Sequence, residues 1–104
     1  LVDIGCVGMR DATRWYLSHP APGVFEWSWL DRVVAAAEKY KLELYLDLWH
    51  YGYPDWLELM SDEAPHHFTE FATQIARRYP QLRYYAVCNE PTLMVEKAGR
   101  QGKW

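Results

Sequence analysis

A chain of 104 residues, half of them apolar, can bury one core and is too apolar to be disordered. A formal charge of −3 without a basic stripe argues against a nucleic-acid partner, and no apolar run approaches the roughly 20 residues that cross a bilayer. Cys6 and Cys88 lack disulfide or zinc-like spacing, which fits a reduced, cytoplasmic setting.

In chain order, Leu1 to Arg10 reads as the tail of a helix ending near Gly8. Ala12 to Leu17 reads as a first strand, with Arg14 in its interior, where a guanidinium needs a carboxylate or a polar cavity. Ser18 to Gly23, rich in Pro and Gly, is a loop. A helix follows, with Ser28 as N-cap and Leu30, Val33, Val34 and Ala37 on one apolar stripe. Leu42 to Trp49 alternates with period two and forms a second strand; the helices on either side predict that both its faces are covered, so Asp47 must find a partner.

His50 to Leu57 is an aromatic, turn-rich loop. Ser61, the acidic residues after it and Pro65 mark the start of a second helix with its stripe on Phe68, Phe71, Ala72, Ile75, Ala76 and Tyr79, ended by Pro80. Tyr84 to Cys88 is a third, buried strand that stops at Asn89-Glu90-Pro91. Strands alternating with helices predict an α/β fold with parallel strands. In such folds ligands bind at the carboxyl ends of the strands. Arg14, His50 and Asn89-Glu90 then gather on one rim.

Read as residues alone, Glu90 is a catalytic acid or a strand-end carboxylate that caps a nearby helix or pairs with an arginine. Arg14 is a site residue or a structural partner of Asp47 or Glu90. Trp49, Tyr51, Tyr53 and Trp56 offer ring faces to a sugar or simply pack. His66 and His67 are adjacent on a helix start and point apart, so a solvated first turn is favoured over a metal site. No metal and no cofactor are expected.

Thr13 to Ser18, Leu46 to Pro54 and Cys88 to Pro91 together resemble successive strand-end motifs of family 1 glycoside hydrolases, the β-glucosidase-like (β/α)8 barrels of a large clan of retaining glycosidases. The resemblance spans nearly the whole chain and places these strands second to fourth in a TIM barrel. It implies that Glu90 is the general acid/base and that Asn89 bonds the sugar 2-hydroxyl and the nucleophile. It further implies that His50 contacts a sugar hydroxyl, that Arg14 positions the nucleophile carboxylate and that Tyr51 lies in the substrate site. The family usually has Trp at the position of Tyr51 and often Asp at that of Gly52, so the sugar specificity diverges.

A retaining enzyme needs a second carboxylate roughly 5 to 5.5 Å from the first, and a whole barrel takes about 250 residues. Residues 1–104 are therefore expected to be one incomplete barrel segment. Its partners would be a β-glycoside substrate and the remainder of the parent barrel, and by itself it should be inactive. The alternatives are an inactive carbohydrate-binding or scaffold barrel, or a cellulase- or xylanase-like member of the clan.

Overall fold

The computed structural model describes residues 1–100. After a 3-10 turn at Val2–Ile4 come strand β1 (Gly8–Ala12), the single-turn helix α1 (Trp15–Ser18), α2 (Ser28–Lys39), β2 (Glu43–Trp49), α3 (Ala64–Arg78), β3 (Tyr84–Cys88) and α4 (Pro91–Arg100). The three strands are parallel, in the order β1-β2-β3. This is the repeated strand–helix unit of a (β/α)8 barrel, present here as three consecutive strands.

The core lies between one sheet face and the helices. Leu44, Leu46 and Leu48 of β2 are buried against Leu30, Val33, Val34 and Ala37 of α2 and Phe71 and Ile75 of α3. Burying each of the larger side chains contributes about 1.5–3 kcal/mol. Asp31 of α2 clamps the two helices by accepting hydrogen bonds from Arg78 Nε and Nη2 (2.9 and 2.7 Å) and from the Tyr79 hydroxyl (2.5 Å). The Arg78 and Tyr79 bonds hold the Asp31 carboxyl below the usual carboxylate range.

On the opposite face the register aligns Arg10 with Tyr45 and Tyr84, and Ala12 with Asp47 and Ala86. The rings of Tyr45 and Tyr84 stack at 4.8 Å, yet both remain substantially exposed. In a closed barrel this face points inward. β3, expected to be buried, is largely exposed, because among the described residues only β2 pairs with it.

The beginning of the chain differs from expectation. The helix tail predicted before Gly8 is a 3-10 turn, and the first strand ends at Ala12 rather than starting there. Trp15, Tyr16 and Leu17 favour strands by type. Tertiary packing prevails: the Trp15 ring inserts into the core at 2% exposure, and one helical turn delivers it there. Arg14, expected inside a strand, instead precedes α1 with φ 52°. Neither predicted serine caps its helix through its side chain. Ser28 is the first residue of α2, and its N–H donates to Glu26; Ser61 lies upstream of α3 and donates to the Glu58 carbonyl. Helix α4 was not foreseen: Pro91 stops β3 and also opens a helix, as proline at a first helical turn does.

His19 is sealed into the aromatic layer between Phe25 and Phe71, at ring distances of 4.6 and 5.7 Å. Its Nδ1 accepts from Trp15 Nε1 (3.1 Å), while Nε2 is buried without a hydrogen-bond partner among the described residues. Burial pushes the His19 pKa down; Glu70 opposes that shift and His67 adds to it. The unfolded chain, with a histidine pKa of about 6.5, therefore binds a proton that the folded chain refuses. Stability is complete above that value and falls as pH drops below it, by up to ~1.4 kcal/mol per pH unit, until the lower folded-state pKa is reached. Urea unfolding between pH 8 and 5 should show this loss, and His19→Gln should flatten it.

Candidate active site at the strand ends

Each strand ends in a turn of similar backbone form. Arg14, Tyr51 and Glu90 lie two residues beyond β1, β2 and β3, and all three have φ in the left-handed region, at 52°, 65° and 44°. A non-glycine residue held there costs on the order of 1 kcal/mol or more, and such residues cluster at functional sites. The turns are tied to the sheet. Thr13 Oγ1 donates to the Leu48 carbonyl (2.8 Å), and the Asn89 N–H donates to the Trp49 carbonyl (2.8 Å).

At the centre of the rim is Asp47, whose side chain is only 2% exposed. Arg10 Nε donates to its Oδ1 (2.8 Å) and Arg10 Nη2 to its Oδ2 (2.7 Å), a two-pronged pair. His50 Nδ1 lies 2.8 Å from the same Oδ2. Arg10 Nη2 also donates to Asn89 Oδ1 (2.7 Å), which joins β1 and β2 to the end of β3. Burial opposes ionisation of Asp47, but the hydrogen bonds and charges of Arg10 and His50 outweigh it, so its pKa lies below the usual value. Ala12 and Ala86, level with Asp47, present only methyl groups beside the carboxylate.

Glu90 stands next to this chain of bonds. Its Oε2 accepts from the Tyr51 hydroxyl at 2.5 Å, and that bond raises the Tyr51 pKa. The Lys97 ammonium lies over the Tyr51 ring, 5.4 Å from its centroid. Gly52, where the resemblance leads one to expect Asp, lets the loop backbone approach the Tyr16 ring; a Cβ there would fall 2.7 Å from Tyr16 Cδ1.

Of the residues singled out from sequence, the structure thus brings together His50, Tyr51, Asn89 and Glu90. It does not bring Arg14 to them. The Arg14 guanidinium stacks on Trp29, 3.9 Å from the ring centroid. The arginine of the rim is Arg10, on β1 where the sequence pattern predicts a helix tail. The available signal was Asp47, an inward-facing strand carboxylate in need of a cation, together with the presence of two arginines four residues apart.

Most of the other aromatic residues pack. Trp49 meets Trp15 edge-on at 5.4 Å, Tyr53 meets Trp49, and Trp56 Nε1 donates to the His19 carbonyl (2.7 Å). An apolar cavity of about 480 Å³ lies behind the rim between Leu59, Phe68 and Met94; Arg10, Asp47, His50 and Glu90 do not line it. Burial raises the pKa of the Cys88 thiol, and Asp47 adds to the effect, which disfavours the nucleophilic thiolate. Among the described residues no group of three or more His, Cys, Asp or Glu side chains could hold a metal ion, and no helix is long and apolar enough to cross a membrane.

The arrangement offers a carboxyl group at Glu90 with one oxygen held by Tyr51, an amide and a guanidinium beside it, and an imidazole at the next strand end. Comparison with known proteins follows the same direction. Glycosyl hydrolase family 10 matches residues 2–104, and no individual curated protein matches the chain.

Proposed function

Because the chain belongs to glycosyl hydrolase family 10, whose members act on carbohydrate, we propose that it is the acid/base-bearing segment of a retaining glycosidase barrel. Family 10 falls in the same clan of (β/α)8 glycosidases as the family 1 enzymes suggested by the strand-end motifs; the match supports that clan and not family 1 itself. The observation that carries the reading is the unbroken chain of bonds from His50 through Asp47 and Arg10 to Asn89, with Glu90 beside it.

In this reading Glu90 protonates the departing glycosidic oxygen and later takes a proton from water. Tyr51 holds one of its oxygens and leaves the other for the substrate. Asn89 accepts from Arg10 through Oδ1, and its amide, which also reaches the Tyr51 hydroxyl, supplies the N–H donors for the sugar 2-hydroxyl and the nucleophile. The role that the resemblance implied for Arg14, positioning the nucleophile carboxylate, passes to Arg10. That nucleophile belongs to a part of the parent barrel beyond these residues, so the segment alone hydrolyses nothing.

Proton NMR of the first-formed sugar tests the retaining chemistry in the full-length protein. Release of the β-anomer from a β-glycoside is expected, and release of the α-anomer would overturn the reading. The β-glucosidase-like proposal rests on Trp49-His50 and Asn89-Glu90-Pro91. Comparing aryl β-glucosides with cello- and xylo-oligosaccharides in the same assay separates it from a cellulase- or xylanase-like specificity.

A further inference from the structure

Asp47 is the one carboxylate of the rim that faces no open space, and every oxygen it has is spoken for by groups that do. Its side chain is 2% exposed, whereas those of Arg10 and His50 are 56% and 40% exposed. We infer that Asp47 is the positioning residue of the site: it fixes which nitrogen of His50 carries the proton and, through Arg10, where the Asn89 amide points.

Ionised Asp47 can only accept hydrogen bonds, so Nδ1 of His50, at 2.8 Å, must carry a hydrogen. A neutral His50 is then the Nδ1–H tautomer, and its Nε2 presents a lone pair. Among the described residues no hydrogen bond engages that Nε2, so it can accept one from a ligand hydroxyl. In water a free histidine side chain prefers the opposite tautomer, whose Nε2 donates.

The same carboxylate takes two bonds from Arg10, and the second of these comes from the Nη2 that also reaches Asn89. One buried group therefore sets the polarity of two groups at different strand ends. The other charged or titratable side chains around it are Glu90, Tyr51 and Cys88. Glu90 engages Tyr51, Cys88 makes weak thiol contacts to the Asn89 carbonyl and to Met94, and neither competes for Asp47. Displacing a positioned group by about 1 Å can cost on the order of a hundredfold in rate.

This inference rests on the glycosidase reading for what His50 meets, but its test does not depend on turnover. Ring 15N spectra of the full-length protein with labelled histidine, recorded at a pH where His50 is neutral, report the tautomer directly. His50 is assigned by the signal lost in His50→Gln. The wild-type protein should show His50 protonated at Nδ1, and Asp47→Ala should convert it to the Nε2–H form. In parallel, Asp47→Ala should lower kcat/KM about a hundredfold, and the loss should be smaller in a His50→Gln background, because the two act as one unit.

An Nε2–H tautomer in the wild-type protein would overturn the proposal even if the Asp47 variant failed to fold. So would an unchanged tautomer in Asp47→Ala. A tautomer switch in a protein that hydrolyses no glycoside would instead refute the proposed function while leaving the hold of Asp47 on His50 intact.

Discussion

Glu90→Ala in the full-length enzyme should lower hydrolysis of glycosides with poor leaving groups, such as another sugar, by about 10²–10⁴-fold. Aryl glycosides with acidic phenols should lose far less in the bond-breaking step, because such phenolates depart without a proton. The divergence arises from the chemistry assigned to the end of β3. A general acid matters in proportion to how badly the leaving oxygen needs a proton. Glu90 is suited to the task by its place beyond β3, its left-handed backbone and the single hydrogen bond from Tyr51 that fixes one oxygen. Plotting log kcat/KM against leaving-group pKa for both proteins checks the expectation, and the slope should steepen in the variant. Equal losses on all substrates would assign Glu90 to structure.

The second large effect separates two arginines four residues apart. Arg10→Lys should lower kcat/KM by on the order of a hundredfold, while Arg14→Lys should stay within about twofold of the wild type. A lysine ammonium lacks the planar fork that lets Arg10 grip both oxygens of Asp47 and still reach Asn89. Arg14 has no such duty, since its guanidinium lies over the Trp29 ring, 3.9 Å from its centroid. Steady-state kinetics on the two single variants decides the point, and a deficit confined to Arg14→Lys would restore the role the sequence resemblance implied for it.

That pair also shows where sequence reasoning succeeds and where it stops. β2, α2, α3 and β3 were legible because each buries one face, so that Leu44, Leu46 and Leu48, or Leu30, Val33, Val34 and Ala37, recur at the period of their element. The parallel alternation followed from their order, and with it came the gathering of His50 and Asn89-Glu90 on one rim. β1 has no such repeat. Gly8-Met9-Arg10-Asp11-Ala12 carries a single core residue, Met9, and no β-branched side chain, whereas Trp15-Tyr16-Leu17 looks like a strand and is one turn of helix. The resulting displacement of four residues exchanged Arg14 for Arg10. Asp47 was visible as an unpaired inward carboxylate, but its partners depend on side chains reaching between layers of the sheet, and periodicity carries no information about that.

Glu90 as general acid/base is the claim on which the rest of the account depends, and the most direct test of it is to add azide to Glu90→Ala turning over an activated aryl glycoside. In that variant the glycosyl–enzyme intermediate should accumulate, because no base would activate water, and the vacated space should admit a small anion. Azide should accelerate turnover and yield a glycosyl azide of retained configuration, with no comparable effect on the wild-type enzyme. Turnover indifferent to azide, or no glycosyl azide formed, would contradict the assignment.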